Sequence, residues 1–261
     1  MFEFSIIIDE NRAEEARHIC REMKKNSNDF GAVITSYSEN EKIYIIIGCS
    51  EIEKPRMKFF ISDAIADTIS IFYKLNYIEK TLKLHISEEI YLNAFKKALI
   101  AFDRETDKYI ITHNLKIDKS VYIDSFYVFK LKQLRNKWQE IIKLANDNAG
   151  YLLCSDIFVD LLRFLIENIQ ISNNLVNIIK DEGIFKICDD KFNKIDLENE
   201  GLCNLSSVDK KDNEIDLITS LIALSPQKIN VYCDQCENSP TLTLISQLFG
   251  NRVSILPNVN S

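Results

Sequence analysis

Apolar residues change their spacing three times along the chain, and each change marks a different kind of structure. "FEFSIII" at residues 2–8 is a β-rich run, and Asp9 follows it as a candidate N-cap. "ENRAEEARHICREMKK" then has helical character, and "FGAVITSY" and "KIYIIIGC" read as two strands divided by the polar turn "SENE". This predicts an N-terminal βαββ unit over residues 1–55. The middle, residues 56–170, is helical. Residues 57–74 are apolar except for a stripe at Ser62, Asp63, Asp67, Ser70 and Lys74. So narrow a stripe predicts a helix buried on most of its circumference, with the stripe as its wet edge. Ser87 opens a further helix, with Glu88 and Glu89 in its positive first turn. From residue 123 to 148, Tyr127, Leu131, Leu134, Trp138, Ile141 and Ala145 recur at spacings of four and three, which predicts one long helix stopped at Gly150. "DIFVDLLRFLIENIQ" is its nearly all-apolar partner.

The last third, residues 171–261, returns to strands. "NLVNIIKDEGIFKICDD" reads as a hairpin turning at Asp181-Glu182-Gly183, and a polar stretch from 190 to 213 reads as a long surface loop. A helix, a strand ("KINVYC"), a helix opened by Ser239-Pro240 and a strand ("RVSIL") follow. That alternation predicts a ββαβαβ unit with a parallel crossover. The fold class is therefore α/β in the mixed α+β sense, in three segments that could also form one continuous domain.

Composition narrows the setting. The 261 residues are 46% hydrophobic and 27% charged, the balance of an ordinary globular protein. The net charge of −7 disfavours general binding of nucleic acid, whose phosphates an acidic surface repels. No apolar run approaches the ~20 residues that span a bilayer, and the N-terminus lacks a secretion signal, so a cytoplasmic location is expected. Seven scattered cysteines in a reducing compartment read mostly as small buried hydrophobes.

Candidate chemistry is sparse. The six glycines are too dispersed to form a phosphate-cradling loop, and the serine nucleophile elbow is absent, so neither a catalytic residue nor a cofactor site is predicted. Cys233-x-x-Cys236 has a spacing that can carry redox or metal chemistry, and with Asp234 it lies at a strand C-terminus, where sites collect in α/β sheets. Against this, Ser239 caps the following helix. Neither sulfur then falls in the first helical turn, and no second pair completes a tetrahedral zinc site. Both cysteines are expected to be structural, with Cys233 facing the core. Asp63 and Asp67, one turn apart, could share a proton or a metal. His18, His85 and His113 have no nucleophile at a recognisable spacing. Lys130, Arg135 and Lys137 form a basic segment that could dock an anionic partner, or simply be the solvated side of an amphipathic helix.

From residue 120 onward the chain resembles the YtxC-like sporulation proteins of endospore-forming bacteria. Phe126, Phe129 and Leu131 in "YIDSFYVFKLKQL" match an aromatic block of the family, with Lys130 at its arginine position. Leu161, Leu162, Arg163 and Phe164 match a second block, and Leu221, Leu224, Pro226, Lys228 and Ile229 a third. The first half is similar in length and layout. The resemblance implies a cytosolic, sporulation-associated protein and carries over no catalytic residue. The resulting expectation is a non-enzymatic chain that acts on a protein partner or ligand. The alternative is a small-molecule binder, or a thiol- or metal-dependent enzyme, near Cys233 and Cys236.

Overall fold

The computed structural model describes residues 1–27, 31–83, 89–147, 155–181, 184–195, 213–233 and 239–257. The chain forms two compact units, each built from two segments. The first comprises Met1–Leu82 and Arg104–Leu144, the second Lys83–Asp103 and Ala145–Ser261.

In the first unit, β1 (Phe2–Asp9) lies between β3 (Lys42–Cys49) and β4 (Ser120–Tyr122), with β2 (Val33–Glu39) on the outer side of β3. β1–β3 and β2–β3 are antiparallel, and β4 is parallel to β1. The period-2 pattern of β1 is visible in the result. Phe2, Phe4, Ile6 and Ile8 are buried, paired in register with Cys49, Ile47, Ile45 and Ile43. Helix α1 (Ala13–Ser27) adds Ala16, Ile19 and Met23, one helical stripe, to the same core. The βαββ order is thus present, and a fourth strand completes the sheet from far along the chain. The sequence pattern does not announce β4, because three residues are too few to show an alternation.

The long apolar segment becomes α2 (Lys54–Thr68), a π-helical turn (Ile69–Tyr73) and α3 (Lys74–Thr81). All five residues of the π turn are buried. The helix expected over 123–148 is two: α6 (Ile123–Lys130) and α7 (Lys132–Asp147) break at Leu131, which leaves helical geometry at φ −105°, ψ 34°. Leu131, Leu134, Trp138 and Ala145 are buried as the spacing required, and Ile142 takes the place expected for Ile141. α5 (Arg104–Asn114) completes this unit.

In the second unit the sheet order is β6-β5-β7-β8, formed by β5 (Asn173–Asp181), β6 (Ile184–Cys188), β7 (Pro226–Tyr232) and β8 (Val253–Leu256). β6 is antiparallel to β5, while β5, β7 and β8 run parallel, the expected crossover. α4 (Glu89–Ala101) packs here through Phe95 and Tyr91 against Phe158 of α8 (Ser155–Glu167). α9 (Asn213–Leu224) and α10 (Pro240–Phe249) complete it. Arg163, from the second resemblance block, donates to the Gln247 carbonyl at 2.7 Å and ties α8 to α10. Leu221, Leu224 and Ile229 of the third block are core. Ser87, Gly150, Glu182, Gly183 and most of the 190–213 stretch lie outside the described residues. No helix among the described residues is long and apolar enough to cross a membrane.

Candidate functional site

The polar stripe on α2 is a wet edge only in part: Asp63 is half-exposed, whereas Asp67 faces into the first unit, and the two carboxylates meet charged groups of α1 and α5. Asp67 receives His18 Nε2 of α1 at 3.1 Å, the guanidinium of Arg104 and, at 3.5 Å, the ammonium of Lys108. Asp63 holds the same Lys108 at 2.7 Å. His18 is 2% exposed, lies tilted against the Phe72 ring at 5.1 Å between centroids and leaves Nδ1 without a hydrogen-bond partner. Burial on its own would push the Asp67 carboxyl up. The His18 hydrogen bond and the charges of Arg104 and Lys108 outweigh it and hold the group well below the carboxylate range.

One π turn further on, two more clusters begin at consecutive residues. Tyr73 donates to Asp124 Oδ1 at 2.9 Å, and Arg12 reaches the same oxygen at 2.8 Å while its guanidinium lies 4.1 Å from the Tyr73 ring centre. The Asp9 amide closes on the other oxygen of Asp124 at 3.2 Å. Burial, together with the Asp124 charge, pushes the Tyr73 hydroxyl far up. Lys74 pairs with Asp107 at 2.7 Å. Asp107 is fully buried and also accepts from Lys137 at 2.7 Å and from the Trp138 indole at 3.0 Å. The expected N-cap role of Asp9 is not realised. Its carboxylate accepts from the Tyr122 hydroxyl instead, which pushes that phenol up to about 12.

The π turn lies between these clusters: Asp67 precedes it, Tyr73 closes it and Lys74 follows it. The clusters cross-brace α1, α2, α5, α6 and α7. Each buried carboxylate is neutralised by at least one cation, and general acid–base work needs a group that exchanges protons near neutral pH. Asp67 and Tyr73 are both driven away from that range. The arrangement is that of a positioning network.

The structure places the other candidates separately. Lys130 is exposed at the end of α6, beside exposed Val128 and Phe129, the latter 76% accessible. Arg135 bends back to donate to the Tyr127 carbonyl, and its guanidinium sits 5.2 Å from the Tyr127 ring. Lys137 points inward to Asp107. His113 stacks on Tyr109 at 5.8 Å, and His85 lies outside the described residues. Cys233 is buried just past β7, as expected, but it is disulfide-bonded and not a thiol. Cys236 and Asp234 lie outside the described residues. Cys20, Cys49 and Cys188 are free, and burial pushes each thiol up. Among the described residues no three of His, Cys, Asp and Glu converge as metal ligands.

A second feature is a surface. On the face of the first sheet opposite its core, Ser5 and Ile7 of β1, Val33, Thr35 and Tyr37 of β2, Tyr44 and Ile46 of β3 and Tyr122 of β4 share the pleat, and none of them is buried. Tyr37 and Tyr44 stack at 5.0 Å, and Lys42 sits 4.7 Å from the Tyr122 ring centre. The sequence pattern announces the buried row of each strand and not this second row, whose mixed polar and apolar residues show no period of their own.

The YtxC-like family model matches residues 53–254. No curated protein and no solved structure matches the chain.

Proposed function

The chain belongs to the YtxC-like family, and on that premise we propose that it is a sporulation-associated protein of the cytoplasm that works by holding a protein partner and not by catalysing a reaction. One observation carries the reading: the outer face of the first sheet is aromatic and aliphatic at its centre, with its charges, Glu3, Asp9, Glu39 and Lys42, in the two end rows of the register, while Asp67, Asp107 and Asp124 of the same unit are turned inward and paired with cations. Clustered tyrosines and branched aliphatic side chains on a rigid sheet are the composition of a protein-binding surface. A phosphate-rich partner would need the opposite, an exposed basic stripe, and the net charge of −7 works against it. Lys130, with Val128 and Phe129 beside it, is the basic candidate that remains open for a contact. Arg135 and Lys137 serve the local structure.

The test is capture from sporulating cells with nuclease present, followed by calorimetry with the purified captured protein. The full chain should bind it directly. Tyr44→Asp/Ile46→Asp, which charges the face without touching the core row, should weaken binding more than tenfold. Equal binding by the variant would remove the sheet face from the reading. Capture that nuclease abolishes, or a small molecule that co-purifies in stoichiometric amount with no protein bound, would overturn the protein-partner reading.

A further inference from the structure

β2 is the outer strand of the first sheet, and its seven residues pair with β3 one for one, without a bulge. Six of the seven are exposed and Ile34 is half-buried. The strand "VITSYSE" has no proline and no lysine, and its one charge, Glu39, is at its end. Edge strands are usually blunted by such devices, because an open row of N–H and C=O groups templates another strand. Without glycine, β-branched at Val33, Ile34 and Thr35 and regularly paired, β2 carries none of them. The opposite edge, β4, is three residues long and offers no comparable ladder.

We propose that β2 pairs antiparallel with β2 of a second copy of this chain, in the register centred on Ser36, so that the two four-stranded sheets become one of eight strands. A two-fold axis forces identical strands to run antiparallel, and this centre is the one that uses all seven residues. It sets Val33 opposite the partner's Glu39, Ile34 opposite the partner's Ser38, and Thr35 opposite the partner's Tyr37. Glu39 then meets an apolar side chain and not its own copy, so the register has no like-charge contact. Tyr37, already stacked on Tyr44, gains a β-branched neighbour across the new pair, a favoured combination on a sheet face. Because β4 cannot repeat the contact, assembly closes at two copies and does not run on into a fibre. A strand pair this short buries less than the ~1,200 Å² of a stable interface, so the dimer is a weak one with a dissociation constant on the order of 10 μM.

Sedimentation velocity on the full chain tests this from about 1 to about 200 μM, a range that brackets the expected constant. The wild-type chain should pass from monomer to dimer. Thr35→Lys/Tyr37→Lys sets lysines opposite lysines and should remain monomeric throughout with an unchanged circular dichroism spectrum. A second measurement fixes the register and holds even if that variant fails to fold. Residues directly opposite in an antiparallel pair lie at about 4.5–5.5 Å between Cα atoms, within disulfide reach. A mixture of Thr35→Cys and Tyr37→Cys chains should therefore cross-link under mild oxidation more than either variant alone or the parent chain. A wild-type chain that stays monomeric overturns the proposal, whatever other strand β2 then accepts. So does dimerisation that the lysines leave intact, or cross-linking of a single variant equal to that of the mixture.

Discussion

Replacing Trp138 should reveal how the buried network and the apolar core divide the stability of the first unit. The indole is 1% exposed, lies against Tyr77 at 5.8 Å and Tyr127 at 6.3 Å, and donates to Asp107 at 3.0 Å. A tryptophan buries roughly 200 Å² or more, and at about 25 cal/mol per Å² that gives an upper figure near 5 kcal/mol for the side chain as a whole. Truncation of a buried aromatic costs about 3–5 kcal/mol once partial collapse of the cavity is allowed, so Trp138→Ala should fall in that range. Trp138→Phe keeps most of the packing and loses the hydrogen bond to a charged acceptor, about 1.5–3 kcal/mol. At about 2–4 °C per kcal/mol the alanine variant should melt roughly 10 °C below wild type and the phenylalanine variant about half as far below. Far-ultraviolet circular dichroism during urea and thermal unfolding gives both differences. Trp138 is the only tryptophan in the chain, so wild-type fluorescence reports the first unit alone; it should be blue-shifted and poorly quenched by acrylamide. An alanine variant that melts within about 2 °C of wild type would refute the reasoning, because no well-packed buried indole can be removed so cheaply.

The remaining expectations concern single groups. Asp107→Asn removes the carboxylate that Lys74 and Lys137 share in a fully buried position and should destabilise by about 3–5 kcal/mol in urea titrations; a change under about 1 kcal/mol would show that water reaches the pair. Asp67 has a folded-state value below its unfolded one, so its contribution is complete above about pH 4 and is lost as pH falls further towards the folded value. Asp67→Asn should accordingly lose stability at pH 7 and show a flatter decline on acidification below pH ~4, and equal slopes for the two chains would contradict the ion cluster. Cys233 should resist alkylation in denaturant until a reductant is added, as read by peptide mass mapping, and labelling without reductant would mean that no disulfide forms there.

The sequence resolved the elements wherever a period repeated often enough to be seen. Phe2, Phe4, Ile6 and Ile8 announce β1, and the strand–helix–strand alternation after residue 213 announces the parallel crossover. Spacing alone marks Trp138 as core, and the family likeness seen from residue 120 onward extends over residues 53–254. What the sequence could not decide was which polar residues face inward. Asp67, Lys74 and Asp107 look like ordinary solvated charges, since a carboxylate in a helix has the same local pattern whether water or Arg104 answers it. Only the fold brings residues 37 positions apart to that contact. The same holds for the sheet. That β2 is an edge strand and that Tyr37, Tyr44 and Tyr122 share one face of the sheet depend on strand order and register, which are settled by long-range pairing between segments as distant as residues 5 and 120. Periodicity is a local property of the chain; neutralisation and exposure belong to what the chain meets after it has folded.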